Sequence, residues 1–295
     1  MKVGVIGAGK WGEALAFAMS EKNEVIITSR SKREWPNFRS LDEVLDCKYL
    51  IITVPAQQVA QWLKENFTFK GQKILVAAKG IEASSGRFLN EIYGEYVPEE
   101  NIAFLSGPSF AIEVKQKLPT ALVINSKSEV TAGEFAALFP SFIRTYTSSD
   151  VIGAEITGAY KNVIAIAAGI CEGLELGHNA AASLIARGLV EMERFGRAYG
   201  ATQESFLGLS GAGDLFLTAS SSMSRNYRVG LGLAQGMDKE AVCAQIGEVS
   251  EGIGTAYALH EIALARSIYL PIAAEVYAIL EGKSPRQSLK DLIER

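Results

Sequence analysis

The chain has 295 residues, 48% of them hydrophobic, enough for one large or two medium domains with a real core. A net charge of −4 excludes a general nucleic-acid binder as a class, though not a local basic pocket. Three scattered cysteines, Cys47, Cys171 and Cys243, have no metal-ligand spacing, so no metal site is expected and a reducing compartment is. No run of ~18 uninterrupted apolar residues and no signal-peptide pattern is read, which makes a cytoplasmic protein the expectation.

Residues 2–6 form an apolar, β-branched run that reads as a buried strand. It enters Gly7-x-Gly9-x-x-Gly12 directly, and residues 11–20 then read as a helix. That order is the context a dinucleotide fingerprint requires. Gly7 serves the tight turn, Gly9 the approach of a pyrophosphate, and Gly12 the close packing of helix on strand. Further strands are expected at 24–29, 48–54, 73–77, 101–105, 121–124 and 143–146. Helices fall between them, including capping boxes at Ser40-x-x-Glu43 and Ser126-x-x-Glu129. Near-continuous apolar strands alternating with helices predict an α/β Rossmann-type, doubly wound and mostly parallel sheet.

The pattern changes at Ser148-Ser149-Asp150, after which the chain reads as almost entirely helical. Long helices are expected at 151–171 and 180–199, with later starts at Asp238, Ser250, Pro271 and Ser284-Pro285. The predicted organisation is a dinucleotide-binding domain over 1–150, an all-helical substrate and catalytic domain over 151–295, and a ligand cleft between them.

Strand two ends in Thr28-Ser29-Arg30-Ser31 with no acidic residue to bond a ribose 2′-hydroxyl. Arg30 suits a 2′-phosphate, so NADP(H) is favoured and NAD(H) stays open; a solvated basic loop is the plainer alternative. His178 and His260 carry no catalytic motif, so the proton donor is sought elsewhere. Lys161 stands among small and apolar helical neighbours, where burial lowers a lysine pKa into a range useful for acid–base work. A lysine snorkelling from a buried helix would show the same pattern. Asp214 closes a glycine-rich turn, either as a cap or facing a cleft to hold a lysine or a substrate hydroxyl. Ser224-Arg225-Asn226 offers a guanidinium, a hydroxyl and an amide for a phosphate, or forms a surface turn. Lys79 and the Gly107-Pro108-Ser109 loop follow strands at the sheet edge where ligands bind in this architecture.

The motifs GAGKWGEALA, AAKGIE, SGPSFAIEV, LPTA, AYKNVIAIAAG, ARGLVEM, GLSGAGDLFLT and SRNYRVG occur in this order. As a set, over Lys2 to about Gly254, they resemble the bacterial NAD(P)-dependent glycerol-3-phosphate dehydrogenases. The resemblance implies reversible reduction of dihydroxyacetone phosphate to sn-glycerol 3-phosphate, feeding phospholipid synthesis. It implies Lys161 as proton acceptor in the oxidation direction, and substrate contacts from Lys79, Gly107, Ser109, Lys161, Asp214, Ser224, Arg225 and Asn226. Cofactor contacts are implied for Gly7, Gly9, Trp11, Gly12, Arg30, Lys79, Ala111, Arg225, Val249 and Glu251. The family usually has Ser where Lys10 stands, so Lys10 would bring charge to a phosphate instead, and the loop after Arg30 is shorter than the family's. Two other functions fit parts of the pattern: a 6-phosphogluconate or β-hydroxyacid type dehydrogenase, and a non-catalytic NADPH-sensing module. The expected partner is a small-molecule substrate, with no nucleic acid and no membrane insertion; a homodimer is compatible with the pattern.

Overall fold

The computed structural model describes residues 1–294. The chain divides into two compact units. The first consists of Met1–Ala78 and Leu89–Ala154; the second takes Lys79–Phe88 and the chain from Glu155 onward.

The first unit is built on one sheet of seven strands: β1 (Lys2–Ile6), β2 (Glu24–Thr28), β3 (Tyr49–Ile52), β4 (Lys73–Val76), β5 (Ile102–Ser106), β6 (Thr120–Asn125) and β7 (Ile143–Ser148). Their order is β2-β1-β3-β4-β5-β6-β7, and every pair is parallel except β5 with β6. In register, Val5 lies opposite Ile27 on one side and Ile51 on the other. Side chains alternate between two cores. Tyr49 and Ile51 point into one, Leu50 and Ile52 into the other. That two-sided burial is why the strands read as unbroken apolar runs rather than as alternating ones. Helices α1 (Lys10–Ser20), α5 (Ala111–Lys115) and α6 (Glu129–Leu138) cover the first core with Leu15, Val114 and Phe135. Helices α2 (Leu41–Leu45), α3 (Val59–Asn66) and α4 (Leu89–Gly94) cover the second with Val44, Leu63 and Ile92.

All seven expected strands form. The capping box at Ser40 and Glu43 forms as well, with both reciprocal bonds. The second box does not. The Ser126 hydroxyl donates to the Ile102 carbonyl at 2.6 Å, and Ser128 caps α6 instead by accepting from Thr131 N at 3.2 Å. The antiparallel entry of β6 was not foreseen. Only the five-residue α5 separates β5 from β6. It is held to α1 by Lys115–Glu13 at 2.8 Å, and a full-length helical crossover, which a parallel return usually uses, is missing.

The second unit is helical: α7 (Val151–Gly173, beginning in the last residues of the first unit), α8 (Gly177–Arg197), α9 (Gln203–Leu207), α10 (Asp214–Ala219), α11 (Arg225–Ala234), α12 (Lys239–Ile246), α13 (Glu251–Arg266), α14 (Pro271–Leu280) and α15 (Pro285–Glu294). By length and composition α7 is apolar enough to cross a membrane, which the search for an unbroken apolar run overlooked. Within the protein 89% of its most apolar window is buried, so its surface is used as core. The Cβ of any larger residue at Gly169 would run into the Tyr227 carbonyl, so α7 and α11 touch backbone to backbone.

Compactness divides the chain after Ala154 rather than at the expected 150, and it moves residues 79–88 into the helical unit. Phe88, 2% exposed, anchors that excursion between Phe195 and Tyr199, and Ile81 pairs with Phe88 in an antiparallel bridge. Lys79 is therefore carried by the second unit, although it follows a strand of the first.

One buried carboxylate organises the helical packing. Glu191, 2% exposed, accepts from Ile272 N and Ala273 N, both at 2.9 Å, and from Tyr160 Oη at 2.8 Å. It thus replaces the missing cap at the N-terminus of α14, whose own flanking residue, Leu270, gives no side-chain bond. Glu191→Ala leaves three buried donors unpaired and is expected to cost about 2–5 kcal/mol. Thermal denaturation should show a fall of several degrees, larger than for any single exposed substitution on α15.

Candidate active site

In the first unit the fingerprint takes the shape its glycines permit. Gly7 turns the chain at φ +107°, a conformation that a side chain would strain, and its N–H donates to the Thr28 carbonyl at 2.9 Å. A Cβ at Gly12 would strike the Gly7 carbonyl, whereas one at Gly9 would meet nothing within 4 Å. The backbone at Gly9 is thus open to a ligand, and Gly9 caps α1 without a side-chain bond. Lys10, exposed, opens that helix, and Trp11 is fixed by its indole N–H on the Ala77 carbonyl at 3.1 Å. Arg30 is exposed just past β2, and the neighbouring Ser29 hydroxyl is occupied on the Ser31 carbonyl at 2.6 Å. Gly107 sits at φ +105°, with its carbonyl accepting from Ser109 Oγ at 3.2 Å, just ahead of Ala111 at the start of α5. These residues fit a dinucleotide: a glycine cradle, a helix N-terminus without a side-chain cap, and an exposed arginine just past β2.

The second unit gathers the charged candidates. The glycine-rich segment 209–213 winds into a π-helical turn, with Gly213 N on the Gly208 carbonyl at 3.1 Å, and delivers Asp214 to the head of α10. Asp214 is 1% exposed and grips two lysines, Lys161 through Oδ1 at 2.7 Å and Lys79 through Oδ2 at 2.6 Å. Lys161, on α7, also donates to Thr218 Oγ1 at 2.8 Å, and the Thr218 hydroxyl donates to the Asp214 carbonyl one turn back at 2.6 Å. Of the two open readings of Lys161, snorkelling fails: the residue is 7% exposed and its ammonium is held inside. Burial pulls its pKa down to about 8, against the attraction of Asp214 and helped by the repulsion of Lys79. For Asp214, burial pushes the carboxyl up, but the two lysines outweigh it and hold it below the usual carboxylate range. It stays ionised between two cations at neutral pH.

A second cluster lies on α11 and the start of α13. Ser224 caps α11 by accepting from Tyr227 N at 3.2 Å, and Arg225 follows, half exposed, with Glu248 at 3.9 Å. Asn226, 8% exposed, donates to Asn162 Oδ1 at 2.9 Å, linking this cluster to the residue beside Lys161. Val249 is exposed, and Glu251 opens α13 with its pKa raised by burial, partly offset by Arg225, Lys79 and Lys161. The structure thus brings Lys79, Lys161 and Asp214 into direct contact, with Ser224, Arg225 and Asn226 gathered on one helix start. Two participants were not singled out from sequence. Thr218 had a signal, being one helical turn past Asp214, and Asn162 had only its adjacency to Lys161.

A sheet with a glycine turn at its first helix, together with a buried lysine of lowered pKa paired to a carboxylate, are the parts of a nicotinamide-dependent dehydrogenase. Residues 150–291 match the family model described as NAD-dependent glycerol-3-phosphate dehydrogenase C-terminus, and residues 37–132 match its N-terminus counterpart. The chain is 68% identical to glycerol-3-phosphate dehydrogenase [NAD(P)+] of Sulfurimonas denitrificans over 99% of both chains. It is 54% identical to the enzyme of that name from Campylobacter jejuni, covering 100% of this chain and 99% of the other. A crystal structure of glycerol-3-phosphate dehydrogenase from Coxiella burnetii superimposes with a TM-score of 0.93 at 33% identity, covering 100% of this chain and 99% of that one. The chain belongs to the NAD-dependent glycerol-3-phosphate dehydrogenase family.

Proposed function

We propose that this protein reversibly reduces dihydroxyacetone phosphate to sn-glycerol 3-phosphate for glycerophospholipid synthesis, preferring NADP(H) and accepting NAD(H). The observation that carries this reading is the Lys161–Asp214–Lys79 cluster, a buried proton carrier whose pKa of about 8 suits reaction in either direction. A bound nicotinamide coenzyme would supply the hydride chemistry at C2. Lys161 handles the accompanying proton. Two of its three N–H bonds go to Asp214 and Thr218, and the third is assigned to the C2 oxygen. In reduction the ammonium gives that proton to the oxygen as charge develops there; in oxidation the neutral amine takes it from the C2 hydroxyl. Asp214 keeps Lys161 oriented and accepts as well from Lys79, which is assigned to the substrate in the same reading. Ser224, Arg225 and Asn226 are assigned to the phosphate, Arg225 by the planar fork that matches phosphate oxygens.

The first unit binds the dinucleotide through Gly7, Gly9, Lys10, Trp11, Gly12, Arg30 and Ala111, with Lys79, Arg225, Val249 and Glu251 of the second also assigned to it. Gly107 and Ser109 are assigned to the substrate. A homodimer in the cytoplasm, with no nucleic-acid ligand and no membrane insertion, belongs to the same proposal.

Initial rates with dihydroxyacetone phosphate, 6-phosphogluconate and simple β-hydroxyacids test the reaction. Turnover is expected with the first alone. Oxidation of a β-hydroxyacid in its place would move the enzyme to the β-hydroxyacid class, and no consumption of NADPH with any phosphorylated ketose would leave a binding module. For the coenzyme, Arg30→Ala is expected to lower kcat/KM for NADPH about 10- to 100-fold, the worth of a charge-assisted contact to a phosphate. The value for NADH should hardly move, and a loss shared equally by both coenzymes would remove Arg30 from 2′-phosphate recognition.

A further inference from the structure

Ser250 stands at the N-cap of α13, yet its side chain makes no cap bond. The serines and aspartate at the N-caps of α2, α6, α11 and α12 all accept from an N–H of their own helix. Ser250 instead donates from Oγ to Asn226 Oδ1 at 2.5 Å, where the Gly252 N–H arrives as a second donor at 3.0 Å. The close fit is built into the backbone: a Cβ at Gly252 would sit 2.7 Å from Asn226 Oδ1 and 2.8 Å from the Asn162 carbonyl.

The bonds run in one direction. Asn226 Nδ2 donates to Asn162 Oδ1 at 2.9 Å, and Asn162 Nδ2 donates to the Gly158 carbonyl of α7 at 3.2 Å. With both donors on Oδ1, the Asn226 amide can present only its nitrogen side to α7 and to a ligand. One of its two amide hydrogens is engaged by Asn162, and in the substrate assignment above the other serves a phosphate oxygen. The same serine lies between Val249 and Glu251, so it ties the start of α13 to the phosphate-binding end of α11.

We propose that Ser250 is a positioning residue for the phosphorylated substrate, acting by locking the Asn226 amide; this rests on the assignment of Asn226 to the substrate phosphate. It touches no reacting atom, so its effect belongs to substrate affinity and not to the chemical step. Loss of one such lock is expected to raise KM for dihydroxyacetone phosphate about five- to tenfold. Serine to threonine keeps the donor, so it restores what alanine removes.

The test compares wild type, Ser250→Ala and Ser250→Thr in the full enzyme, measuring kcat, KM for dihydroxyacetone phosphate and for NADPH, and the melting temperature. The expected result is a raised ketone KM in Ser250→Ala alone, with kcat and melting temperature close to wild type and Ser250→Thr behaving as wild type. An unchanged ketone KM overturns the assignment. So does a rise that follows a lost melting temperature, a rise confined to NADPH, or a failure of threonine to restore binding. Lack of turnover by the wild type overturns the substrate reading beneath it, which separates the two failures.

Discussion

Lys161→Ala is expected to lower kcat for dihydroxyacetone phosphate reduction by about 10²–10⁴-fold, the usual worth of a positioned acid–base group. Lys161 is assigned to the substrate and not to the coenzyme, so the dissociation constant for NADPH should stay within about twofold. Removing Lys161 leaves Asp214 still paired with Lys79, so the site keeps one buried ion pair and the variant folds. Steady-state rates together with coenzyme titration by fluorescence separate the outcomes. Near-normal turnover would show that another group supplies the proton. A parallel loss of NADPH binding would show that Lys161 serves the coenzyme.

Asp214→Asn is the second large effect, and it acts differently. The carboxylate neutralises two lysines, one of them 7% exposed. Without it the lysines face each other uncompensated, and the expected destabilisation is about 3–5 kcal/mol. Attraction by Asp214 is what opposes the effect of burial on Lys161, so its loss drives that pKa further below about 8. The amine is then neutral at neutral pH. Reduction, which needs the ammonium, falls steeply, and oxidation loses orientation but keeps a base. The variant should therefore lose more of its ketone-reducing rate than of its alcohol-oxidising rate at pH 7. Denaturant melts and rates in both directions check this; equal losses in the two directions with unchanged stability would deny the charge-pairing role.

Most of the fold could be read from residue order. Strands β1 to β7 announced themselves because each is buried on both faces, and β-branched runs such as residues 49–54 have few other places to go. What failed were choices between near-equal local options. Ser126 and Ser128 both suit a helix cap, and the Ile102 carbonyl, a distant partner, decided which one served. The antiparallel β6 depends on the docking of α5 against α1, which no local pattern records. The site was legible as separate motifs but not as a cluster. Asp214 lies 135 residues from Lys79 and 53 from Lys161, and sequence spacing carries no sign of that meeting. The helical neighbours of Lys161 are small and apolar, and its carboxylate arrives from α10. Thr218 follows once Asp214 is placed, because i and i+4 share a helix face. Ser250 looked like a plain helix cap, and only the position of Asn226 gives its hydroxyl another use.

In the proposed mechanism Lys161 carries the proton, with a pKa of about 8 set by burial against Asp214. The most direct test is the pH dependence of kcat in both directions for the wild type, from about pH 6 to about pH 10. Reduction of dihydroxyacetone phosphate needs the protonated amine, so it should be flat below about pH 8 and fall above it. Oxidation of sn-glycerol 3-phosphate needs the neutral amine, so it should rise through the same pH and level off. Two opposed curves sharing that midpoint are the predicted result. Curves that bend the same way, or that show no inflection near pH 8, would contradict it.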